Sequence, residues 1–131
     1  MTRRIWSTLT VGSAASVVAL VLVQAAIAGR WLNEGADIQL HGYIGNAVFV
    51  LGLVLVAVAF LSRAPAWLRA ASVLLALFLF AQTGLGYVGR ESAEARSWHI
   101  PMGVATFGLA VACLTGSCSR SRPHGPRPVL A

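Results

Sequence analysis

The chain has 131 residues, of which 57% are hydrophobic and 11% charged. A soluble domain carries about 25% charged residues, and one soluble core of this size cannot hide so much apolar surface, so a soluble globular fold is excluded. The net charge is +6 and every basic residue is an arginine. These arginines are scattered between apolar runs with no basic face or binding module, which excludes a nucleic-acid partner.

The first apolar run covers residues 5–28, behind the basic start "TRRIW". A cleavable signal peptide is the rival reading, because "AIAG" at 26–29 resembles a small-residue cleavage site. The run is about twice the usual 7–15-residue core of such a signal, so a retained membrane span is expected. Spans are also expected over 42–61, 70–88 and 100–116, since about 20 apolar residues cross a bilayer. The last begins a turn earlier, near Ser97, which puts Pro101 in the first turn, where its missing N–H is not needed. The final residues, "CSRSRPHGPRPVLA", have the composition of a disordered tail.

Arginine placement orients these spans. Arg3, Arg4, Arg63, Arg69, Arg120, Arg122 and Arg127 fall on one side, while Arg30, Arg90, Arg96 and all four acids fall on the other. The positive-inside rule then places both termini in the cytoplasm of a multi-pass protein of the inner or plasma membrane. The connectors over 29–40 and 89–98 face outward.

A repeat runs through the chain. Gln24 precedes His41 by the same interval that separates Gln82 from His99, and glycine follows each histidine at the same distance, in "HGYIG" and "HIPMG". These glycines are Gly45 and Gly103, and the offset between the copies is 58. The expected fold is all-α: a four-transmembrane-helix bundle built from two repeated helical hairpins, over about 5–61 and 63–118. Residues 1–118 form one domain and 119–131 a disordered cytoplasmic tail. Copies with an even number of spans run parallel, about a pseudo-two-fold axis along the membrane normal.

Symmetry puts His41 and His99 at one depth, facing each other near the outer surface. On the helical face below His41 stand Gly45, Val48 and Gly52; below His99 stand Gly103, Thr106 and Ala110. A flat slot beneath facing imidazoles suits a haem, whose iron takes axial histidines from the helices of a bundle. Arg30, Arg90 and Arg96 are placed to pair with haem propionates. Trp31, Trp98 and Tyr43 are placed to pack on the ring edge, and Gln24 and Gln82 to hydrogen-bond in the interior. Alone, each feature has a plain reading: interface anchors, small residues for helix packing, a solvated helix-end histidine. Intramembrane ionisable groups in matched positions favour function.

Other chemistry is less well supported. Zinc or copper would need more ligands than two histidines, and Asp37 and Glu94 lack a ligand spacing. Cys113 and Cys118 lie at the opposite end and are expected to be free thiols; His124 is expected to be solvated. "GLGYVG" at 84–89 matches a dinucleotide fingerprint but follows no strand, so close helix packing is its expected role. No nucleophile–base pair of hydrolase type is visible.

With these residues in view, the sequence resembles half of a haem A synthase, over residues 5–116. The resemblance rests on His41, His99, the glycines that follow them and the helix count. It implies a four-helix half with histidines at the outer ends of its second and fourth helices, holding one bis-histidine haem b. The catalytic half of that family has a glutamate three residues before its histidine and an arginine after it; here Ile38 and Gly42 stand there. Neither outer connector has the cysteines found in many members. The resemblance is therefore to the haem-holding half, not to the hydroxylation of a haem methyl.

The expected function is that of a small b-type cytochrome in the lipid bilayer, exchanging electrons with a quinol or a redox membrane protein. A haem-free accessory subunit of a larger membrane complex is the non-catalytic alternative, and a haem- or lipid-modifying enzyme the third. The sequence is compatible with a homo-oligomer.

Overall fold

The computed structural model describes residues 3–35 and 37–121. Four helices hold nearly all of them: α1 (Arg3–Glu34), α2 (Gln39–Leu61), α3 (Ala66–Val88) and α4 (Ala93–Ser121). No strand occurs among the described residues. All four helices are long and apolar enough to cross a membrane. Helix is what hydrocarbon demands, because each backbone N–H and C=O must find its partner within the segment.

The side chains are sorted as a bilayer sorts them. Leu22, Val23, Val50, Leu53, Leu77, Phe80 and Val104 point outward. The interior is built largely from small residues, including Ala14, Gly52, Ala59, Ala110 and Cys113, which let helices approach closely where apolar burial from water gives no drive. The buried hydroxyls of Thr10, Ser72, Thr106 and Ser117 each donate back to a carbonyl of their own helix, at 2.7–2.8 Å. No polar group in that set is left to face lipid.

The helices close a ring in chain order. α1 packs on α2 and α4, α3 packs on α2 and α4, and neither diagonal pair approaches at the backbone. The repeat is visible in what this ring buries. Thr10 and Leu68, Ala14 and Ser72, Val17 and Leu75, Val48 and Thr106, Leu55 and Cys113, and Ala59 and Ser117 are all buried. Each pair is separated by 58 residues, as Gln24 is from Gln82. The bundle is thus two hairpins, α1–α2 and α3–α4, with equivalent inner faces.

The helix ends differ from the sequence expectation. α1 does not stop near residue 28; Asn33 Nδ2 donates to the Gly29 carbonyl at 2.8 Å, and the helix runs to Glu34. Gly35 ends it in the left-handed region at φ 65°, its N–H donating to the Trp31 carbonyl at 3.1 Å. Asp37 Oδ1 accepts the Gln39 N–H at 2.8 Å and starts α2. α4 starts at Ala93, because Ser92 Oγ caps the Ala95 N–H at 3.3 Å. Pro101 consequently lies inside α4 rather than in its first turn. The α1–α2 and α3–α4 connectors therefore shrink to short turns. α4 also continues to Ser121, so residues 118–121, read as tail from composition, are helical. Residues 122–131, with Arg122, His124 and Arg127, lie outside the described residues.

The α2–α3 turn shows how a tight connection is made without glycine. Ala64 N–H donates to the Ala59 carbonyl at 2.9 Å and Arg63 N–H to the Phe60 carbonyl at 3.0 Å. This paired pattern is a Schellman cap. It places Arg63 at φ 49°, and Pro65 follows to prevent continuation of the helix.

Candidate functional site

α2 and α4 are diagonal, so residues on their inner faces meet across the bundle axis rather than along a helix–helix seam. His41 and His99 do so. Their ring centres are 6.0 Å apart and the ring planes are inclined at 65°. His41 Nδ1 lies 3.2 Å from the Gln24 carbonyl oxygen, which favours the tautomer with the proton on Nδ1 and leaves Nε2 as a free lone pair. His99 Nδ1 lies toward the Gln82 backbone but falls short of a well-formed hydrogen bond.

A cavity surrounds the pair. Its lining is two-fold, like the core: Val21 and Leu79, Ala28 and Gly86, and Val48 and Thr106 take equivalent places, as do the glutamines and the histidines. The cavity therefore sits on the pseudo-symmetry axis. The opposite half of the bundle is packed by Ala14, Val17, Leu55, Ala59, Leu68, Leu75 and Cys113. The bundle is solid at one end and hollow at the other.

The glutamines explain the glycines. Gln24 Nε2 donates to the His41 carbonyl at 2.8 Å. A Cβ at Gly45 would come within 3.0 Å of Gln24 Nε2, and one at Gly103 within 2.8 Å of Gln82 Nε2. Gly45 and Gly103 line the cavity, but what occupies the space above each is a glutamine amide. Gly45 and Gly103 thus seat the two glutamine amides as well as lining the cavity, and Gln24 braces α2 at the His41 carbonyl. The Gln24 and Gln82 Oε1 atoms are buried without a partner.

The cavity rim breaks the symmetry. Arg90 and Arg96 line it on the second hairpin, where the first has Leu32 and Ile38. Arg90 stacks over Tyr87 at 5.0 Å. Arg96 stacks over Trp31 at 5.7 Å and donates from Nε to the Gly89 carbonyl at 3.0 Å. Among the described residues, no acid pairs with either. Arg30 is placed differently. It is exposed and paired with Glu34 at 3.1 Å, and it does not line the cavity. The structure thus brings together most of the expected site, leaving out Arg30, Trp98 and Tyr43. Trp31 lines the cavity, whereas Trp98 and Tyr43 do not and are exposed.

Two contributors were missed in the sequence. Tyr87 lines the cavity and accepts from Asn46 Nδ2 at 2.9 Å, tying α3 to α2. Gly86 makes room for the His99 ring, since a Cβ there would lie 3.3 Å from His99 Cε1. The signal was in "GLGYVG": one of its glycines does serve close packing, against a histidine side chain.

The donor set limits the chemistry. Among the described residues no cluster of three or more His, Cys, Asp or Glu could hold a metal ion. Two imidazoles remain, and they suit a metal that brings its own equatorial ligands. Two metal–imidazole bonds of about 2 Å each, plus the reach from each nitrogen to its ring centre, span about 6 Å. No protein-family model, curated protein or solved structure matches the chain.

The seating of Gln24 on Gly45 predicts a coupled pair. Gly45→Leu alone should cost about 1–3 kcal/mol through overpacking. Gln24→Ala in the same chain should recover part of that loss, since neighbouring residues are not additive. Unfolding in mixed micelles measures both; strictly additive losses would show that the amide does not occupy that space.

Proposed function

We propose that this protein is a small membrane b-type cytochrome, with one haem held between His41 and His99 and serving electron transfer with a quinol or a protein partner. The observation that carries the reading is the diagonal imidazole pair, 6.0 Å between ring centres, at the hollow end of a two-fold bundle. His41 and His99 would hold the group through Nε2, with His41 Nδ1 directed to the Gln24 carbonyl. A haem held there would supply reversible one-electron chemistry.

The asymmetric rim supports a fixed orientation. A haem has two carboxylates on one edge and is apolar on the other. Arg90 and Arg96 offer unpaired cations on the second hairpin for the carboxylates, and Leu32 and Ile38 offer the first hairpin to the apolar edge. Val48 and Thr106, buried where the solid core begins, close the floor.

Purified protein made with ample haem should show a Soret band, and His41→Ala or His99→Ala should abolish it or shift it to a high-spin form while the chain stays helical. Arg90→Leu with Arg96→Leu should lower haem affinity about tenfold or more, the scale of charge-assisted hydrogen bonds. Arg30→Ala should leave it unchanged. Wild type without a Soret band would reject the cytochrome reading.

The orientation proposed for the bundle puts both termini in the cytoplasm and the histidine end outward. It rests on the arginine distribution, since all four acids stand near the histidine end while Arg63, Arg69 and Arg120 stand at the other. A reporter active only outside the cytoplasm should work when fused at Gly35 and fail when fused at the C-terminus. The reverse result would turn the bundle over.

A further inference from the structure

The solid end of the bundle carries a second feature that the histidine site does not use. Between α2 and α3 an apolar groove is lined by Phe60, Ala66, Arg69, Ala70, Val73 and Leu74, and runs on to Leu77. Arg69 lies on the first turn of α3. α3 has 23 residues and, at about 1.5 Å per residue, just spans a hydrocarbon core of about 30 Å, so Arg69 sits at headgroup depth. Its guanidinium does not extend freely into water. It lies 5.4 Å over the Phe60 ring, and its Nε is buried without a hydrogen-bond partner. A buried, unpaired donor on a cation is costly and calls for an acceptor.

The repeat supplies an internal comparison. At the equivalent positions on α1, Val11 stands for Arg69, and Gly12, Ala15 and Ala19 stand for Ala70, Val73 and Leu77. The cation and the bulky apolar wall therefore occur together on α3 and are both missing at the equivalent positions of α1. Packing alone does not require that difference, because the inner faces of the two hairpins are equivalent. Arg120 is already engaged by Ser62, through Nη1 to Oγ at 3.1 Å and Nη2 to the carbonyl at 2.7 Å. No acid belongs to this end among the described residues.

We infer that the α2–α3 groove binds an anionic phospholipid of the adjacent leaflet, its phosphate on Arg69 and an acyl chain along Val73, Leu74 and Leu77. The guanidinium fork suits phosphate oxygens, which would meet its terminal Nη groups. The apolar wall continues from Arg69 toward the bilayer centre, the direction an acyl chain takes. The site is independent of the haem reading and of which face of the membrane it meets.

Native mass spectrometry of the full chain in detergent tests this, with phosphatidylglycerol and phosphatidylcholine of identical acyl chains added separately. Wild type should prefer phosphatidylglycerol about tenfold, the scale of a charge-assisted hydrogen bond. Arg69→Gln should erase the preference, and Arg63→Gln, an exposed arginine of the neighbouring turn, should keep it. Val73→Trp, which fills the groove and leaves the charge, should weaken both lipids, and it carries the test alone if Arg69→Gln does not fold. Inorganic phosphate should not displace the lipid. A preference that survives Arg69→Gln, equal loss in Arg63→Gln, unchanged binding in Val73→Trp, or displacement by phosphate would each overturn the inference.

Discussion

The structure depends on one packing constraint: four helices close a ring whose diagonal pairs do not approach at the backbone. At one end the gap along the axis is filled by the helices' own side chains, Leu55, Leu68, Leu75 and Val17 among them. At the other end the equivalent inward positions carry Gly45, Gly103, Gly86 and Ala28, and the gap stays open. Protein interiors are close-packed, and an unfilled space forfeits dispersion contacts on every wall. A sequence that leaves this end open in both halves gives up that packing at a place where two histidines meet. This is why the histidine pair is read as a site rather than as two satisfied helix-end residues.

Two-fold symmetry and its exceptions divide the molecule by role. The symmetric positions build the scaffold: the buried core, the glutamine seats and the imidazoles. The asymmetric ones are charged. Arg90 and Arg96 face Leu32 and Ile38 across the rim, and Arg69 answers Val11 at the far end. A duplicated hairpin can hold a symmetric metal ligation without change. It needs differences only where a partner is itself asymmetric, as a haem with its carboxylates on one edge is, or where one groove is to be distinguished from its twin.

Much of this was legible in the sequence. Glutamine and histidine are rare here, so their shared spacing exposed the repeat, and the apolar runs gave the helix count. The buried set at the same offset was not legible, since alanine, valine and leucine recur everywhere in such a chain. Helix ends were misjudged where polar residues carried the helix beyond the apolar run: Asn33 and Glu34 in α1, and Ser92 capping α4 ahead of Pro101. Hydropathy marks the bilayer, whereas hydrogen bonds mark the helix. Arg30 was grouped with Arg90 and Arg96 by its side of the membrane. Its pairing with Glu34, one turn away on the same helix, needed the longer α1 to be seen. The role of Gly45 and Gly103 needed the glutamine side chains in place.

The central claim is that His41 and His99 ligate one metal from opposite sides. Electron paramagnetic resonance of the oxidised, haem-loaded protein, read with iron per chain, tests it most directly. The account predicts a low-spin, six-coordinate ferric signal from a single iron per chain, lost when either histidine is replaced by alanine. A high-spin signal in the wild type, or a low-spin signal that survives both replacements, would contradict it.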